Sequence, residues 1–126
     1  MGVTPGGTTS GPGEGAPFAH VTTDFIGVAA ARLADQALIS GLVIAAASAA
    51  GLSASGSPVV RPLPESVVAG LLMIDGCHIL AHAFPDRELL LLDILAMAHH
   101  DPQKAVDVFA RRLTPREIRS EMRPRG

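Results

Sequence analysis

Apolar and polar positions alternate over 18–28, with His20, Thr22, Asp24 and Ile26 on one face and Ala19, Val21, Thr23 and Phe25 on the other. That is the period of a half-buried strand. The run 37–52 is instead apolar apart from Ser40, Ser48 and Gly41. Asp35 ahead of it suits a helix N-cap and Gly51 a left-handed stop, so a helix is expected over 35–50. Its sixteen-residue apolar run falls short of the ~20 residues a membrane span needs. Apolar character on every side suggests burial on more than one side, as at a dimer interface.

Beyond a flexible joint at 53–57, the stretch 59–63 predicts a short strand that Pro62 and Pro64 confine to an edge or bend. Segments 67–74 and 78–84 read as an antiparallel pair turning at Asp75-Gly76. The nearly continuous apolar run 89–98 reads as a central strand covered on both faces. Asp101-Pro102 is a helix start, with a capping carboxylate followed by proline, and that helix ends near Leu113. A last strand is expected over 116–122. The order βαββββαβ predicts an α+β fold, a two-layer sandwich of an antiparallel sheet with two helices on one face.

Composition narrows the picture. The chain of 126 residues suffices for one core, and its net charge of -2 favours neither nucleic acid nor an anionic membrane as partner. Six of thirteen glycines lie in 1–16, which is expected to be a disordered tail before a domain over 17–122, with 123–126 a short second tail. A single cysteine excludes an internal disulfide, and no basic region followed by an apolar core marks a secretory signal, so a cytoplasmic setting is expected. The six arginines of 111–126 read as a solvated face rather than a contact for an acidic partner.

Candidate chemistry concentrates in 75–86, which holds Asp75, the only cysteine (Cys77), and His78 and His82. Cys77 is either a small buried hydrophobe or a thiol nucleophile or acid. A regular strand puts His78 and His82 on one face, roughly 13 Å apart, and Cys77 on the other, so Cys77 meets His82 only if the chain bends at Gly76. Asp93, in an apolar strand, needs a partner such as Arg61 or Arg87, or a place in a pocket. His99 and His100 match no metal-binding spacing, and no metal is expected. Met73 and Met97 read as core filler.

The run His78-Ile79-Leu80-Ala81-His82-Ala83-Phe84-Pro85-Asp86 resembles the self-processing segment of the prokaryotic S-adenosylmethionine decarboxylases. Arg61-Pro62-Leu63-Pro64, Leu92-Asp93-Ile94 and Asp101-Pro102-Gln103-Lys104-Ala105 extend the resemblance over 18–118. It implies an α+β sandwich and a chain that cuts itself before a serine to leave a pyruvoyl group, the electron sink for decarboxylation. Carried over residue by residue, the nucleophile falls on Cys77, the residue before the scissile bond on Gly76 and the elimination histidine on His82. The assisting serine falls on Ala69, the proton-donating cysteine on Met97, and the ring that stacks on adenine on Pro62; Phe84 lies within the motif, on the substrate side.

Ala69 offers no hydroxyl and Met97 no proton, so ordinary adenosylmethionine decarboxylation is not expected. The leading expectation is an uncut small-molecule enzyme, a homodimer in specialised metabolism, with His82 as base, Cys77 or Asp75 as partner and His78 nearby, and no cofactor. The alternatives are a pyruvoyl decarboxylase cut at Gly76-Cys77, working in polyamine synthesis or on another amine-bearing acid, and a non-catalytic subunit regulating an active relative.

Overall fold

The computed structural model describes residues 15–126. The tail expected over 1–16 lies almost wholly outside these residues. Six strands form one antiparallel sheet: β1 (Phe18–Ile26), β2 (Val59–Pro62), β3 (Val68–Ile74), β4 (Cys77–Phe84), β5 (Leu89–Met97) and β6 (Glu117–Arg125), in the order β2-β3-β4-β5-β1-β6. Helices α2 (Gln36–Ala49) and α3 (Gln103–Leu113), with the short α1 (Ala30–Leu33), complete the chain. β1 enters between β5 and β6, so the strands at the two ends of the described chain are neighbours.

Local chemistry sets most element ends. Asp35 accepts a hydrogen bond from the Leu38 amide and caps α2, which Gly51 follows at a φ of 71°. Asp101 accepts from the Gln103 amide, so it serves as the start signal even though α3 begins two residues later. β3 and β4 join through Asp75 (φ 39°) and Gly76 (φ 79°), the left-handed pair of a two-residue hairpin turn. Against expectation, β6 runs through 123–125, which pair with 18–20 of β1 instead of forming a tail.

The helices cover one face of the sheet. Val21, Phe25, Leu72, Ile79, Leu90, Leu92 and Ile94 point toward them and meet Leu33, Ile39, Leu42, Val43, Phe109 and Leu113 in the core. Phe25 and Phe109 stack with ring centroids 6.1 Å apart. Gly70 lets α2 come close, because a Cβ there would lie 2.8 Å from Ile39.

The opposite face is open in this chain. It carries Phe18, His20, His78, Leu80, His82, Phe84, Leu91, Asp93, Leu95 and Met97, because register partners share a face. β5 is therefore covered on one side only, although leucines occupy both of its faces. Met73 (50% exposed) and Met97 (36%) lie on this open face and are not core filler. No helix among the described residues is long and apolar enough to cross a membrane.

Candidate functional site

Asp93 organises the open face. In register, His20 of β1 and His78 of β4 both lie opposite Leu95 on β5, two residues beyond Asp93 on the same face. The Asp93 Oδ1 lies 3.0 Å from His20 Nε2 and 2.8 Å from His78 Nε2. Arg125, at the end of β6, donates to His20 Nδ1 at 3.0 Å. A guanidinium can only donate, so this Nδ1 carries the lone pair and His20 Nε2 the proton given to Asp93. His78 likewise turns Nε2–H to the carboxylate, and its Nδ1 has no hydrogen-bond partner among the described residues. Partial burial of Asp93 would raise its pKa, but the hydrogen bonds from His78 and His20, and the attraction to either ring when it is protonated, outweigh that. The carboxyl is held below its ordinary value of 3.8.

These groups line a cavity of about 470 Å³ walled by Phe18, Leu80 and Leu95 and bordered by Arg125. The volume is in the range of small-molecule sites, with apolar walls and a few convergent polar atoms. The arrangement resembles a base oriented by a partly buried carboxylate, with a second histidine and an arginine behind it.

The residues singled out in the sequence do not assemble as one group. His82 lies on the open face, opposite Leu91 and Ala69, with its ring 6.4 Å from that of Phe84 and no hydrogen bond among the described residues. Cys77 is buried on the helix side of β4, beside a space of about 10 Å³ that holds at most one water. The chain turns at Gly76, but β4 is regular from Cys77 onward, so Cys77 and His82 stay on opposite faces, about 16 Å apart along β4. Asp75 sits exposed at the hairpin tip, where its amide donates to Ser55 Oγ; it borders the same small space as Cys77 and makes no hydrogen bond to either histidine. Pro62 pairs with Val68 on the helix side at the sheet edge, away from the face that holds His82. Phe84, Met97 and Ala69 do share the open face with His82.

The partners of Asp93 are His20 and His78, not Arg61 or Arg87. His99 and His100 pack ring on ring at 4.1 Å, and no group of three metal-ligating side chains occurs among the described residues. Sequence reasoning missed His20 and Arg125. The available signal was that Asp93 needed donors and that His20 alternates onto the polar face of a strand.

Residues 19–126 match the S-adenosylmethionine decarboxylase family. The chain belongs to this family. The arginine decarboxylase proenzyme of Aeropyrum pernix is 26% identical over 100 residues, covering 78% of this chain and 76% of its own. The crystal structure of the adenosylmethionine decarboxylase from Aquifex aeolicus shares the fold with a TM-score of 0.79 at 23% identity, covering 88% of this chain and 92% of that one.

A pyruvoyl group of the kind the family resemblance implies would have to come from Cys77. The surrounding residues do not fit that role. The thiol faces the core, Ala69 has no hydroxyl, Met97 has no acidic proton, and the one open-face histidine opposite Ala69 lies across the sheet from the sulfur.

Proposed function

We propose that this member of the S-adenosylmethionine decarboxylase family works uncut, as an enzyme that moves protons on a small molecule bound in the open-face cavity. His78 is the acid–base group, and Asp93 is the residue that orients it. The carrying observation is the Asp93 carboxylate bridging His20 and His78 at 3.0 and 2.8 Å beside a cavity of about 470 Å³. Asp93 fixes the His78 tautomer and supports the imidazolium that forms when Nδ1 takes a proton. His82, expected from the sequence to be the base, lacks such an orienting partner and becomes a wall of the same face. No cofactor is required in this reading.

Leu91 and Met97 leave the open face apolar at exposures of 37% and 36%, which supports a homodimer in which two such faces meet and shield the cavity from water. A free thiol and the absence of disulfides suit the cytoplasm.

The test is an intact-mass measurement joined to a proton-exchange screen. The full chain should give one species of 13.0 kDa. In D2O it should catalyse C–H to C–D exchange in at least one member of a panel of small carbonyl acids, with loss in His78→Gln and retention in Cys77→Ala. A fragment beginning at residue 77 with a blocked, ketone-bearing end would reject this reading in favour of a pyruvoyl decarboxylase. The arginine decarboxylase proenzyme among the relatives is what keeps that second reading in view.

A further inference from the structure

Three arginines of β6 face the open side of the sheet, and two of them are neutralised on their own strand. Arg119 meets Glu117 at 2.8 Å and Arg123 meets Glu121 at 3.6 Å. Arg125 has Arg123 where the others have a glutamate, and it has no carboxylate partner among the described residues. One of its N–H groups goes to His20 Nδ1, which leaves the rest of the guanidinium fork free at the border of the cavity. The only carboxylate side chain lining that cavity, Asp93, already shares its charge with two imidazole N–H groups.

We propose that Arg125 anchors the carboxylate of the cavity's ligand, and that the site takes a small monoanionic acid with an apolar body and no ammonium group. This rests on the reading that the open-face cavity is the working site, and it names the substrate class for it. The guanidinium plane matches a carboxylate with two parallel N–H bonds, which an ammonium-bearing side chain cannot reproduce. Phe18, Leu80 and Leu95 take the apolar body. An acid held at Arg125 extends across the sheet toward His78, on the far side of Asp93 from His20. Arg125 at the same time keeps His20 in the tautomer that donates to Asp93, so it serves as both anchor and positioning residue.

The experiment uses the full chain and three ring compounds of similar size: benzoate, benzylamine and benzyl alcohol. Binding is read by calorimetry and by the imidazole nitrogen resonances of His20 and His78. Benzoate should bind saturably, at least about tenfold more tightly than the other two, and shift the His20 and His78 signals. Arg125→Gln should weaken benzoate about ten- to hundredfold, Arg125→Lys should restore part of the loss, and Arg123→Gln should change nothing. Equal or tighter binding of benzylamine, benzoate affinity unchanged in Arg125→Gln, or no saturable benzoate binding at 10 mM, each overturns the proposal. His78→Gln should keep benzoate within about twofold. Loss of exchange activity with binding intact therefore reports on the proton chemistry, and loss of binding in Arg125→Gln reports on the anchor.

Discussion

Replacing Asp93 by Asn keeps the shape of the side chain and an oxygen able to accept from both histidines, but removes the charge. Hydrogen bonds to a charged group contribute about 1.5–3 kcal/mol and neutral ones about 0.5–1.5, so each of the two bonds would weaken by about 1 kcal/mol in a dry site. Here the three side chains are 22%, 37% and 32% exposed, and both donors share one oxygen. Solvent screening therefore brings the expected total down to about 1 kcal/mol. For a domain of this size that corresponds to a fall in Tm of about 3–5 °C at pH 7.

The pH dependence gives a second check on the same variant. A carboxyl held below its ordinary value of 3.8 by the His78 and His20 bonds, against the opposing effect of burial, stabilises the fold at every pH above that value. The contribution is lost as pH falls through the lower folded-state value. The gap between wild type and Asp93→Asn should therefore persist from pH 7 to pH 5 and close below 3.8. Urea denaturation across this range measures it. Equal stability at pH 7, or a gap that stays open well below 3.8, would refute the assignment of Asp93 as an ionised bridge.

The buried Cys77 thiol should react with Ellman's reagent only as fast as the protein opens, and at once in urea, as followed by absorbance. Gly76→Val should cost about 1–2 kcal/mol in denaturant titration, because a β-branched residue must take the left-handed φ of 79°. Leu91→Glu, on the open face, should shift the chain to monomer in light scattering while leaving its circular dichroism unchanged.

What could be read in the sequence was what local chemistry decides. Asp35 and Gly51 bracket a helix because a cap and a left-handed stop act within one turn, and Asp75-Gly76 makes a hairpin for the same reason. The need of Asp93 for a donor was also legible, since a carboxylate in an apolar strand cannot stand alone. The identity of the donor was not. His20 lies 73 residues away, and only the insertion of β1 beside β5 brings it within reach. Closeness in sequence misled at Cys77, which neighbours His78 in the chain but faces the helices, as strand parity dictates. The two methionines looked like filler because nothing in an apolar strand says which of its faces the helices will cover.

The neighbouring positions of the first and last strands bear on how the molecule could be rewired. Phe18 lies opposite Arg125, so a short linker could join β6 directly to β1 and turn the longest-range pairing of the sheet into a local hairpin. New termini placed between Gly76 and Cys77 would then open the chain at an exposed turn. Such a circular permutant would exchange the two hairpins, making β1–β6 the shortest-range pairing and β3–β4 the longest, so its folding rate reports which pairing must form early. It would also bring His20 and Arg125, now 105 residues apart, onto adjacent strands of one hairpin.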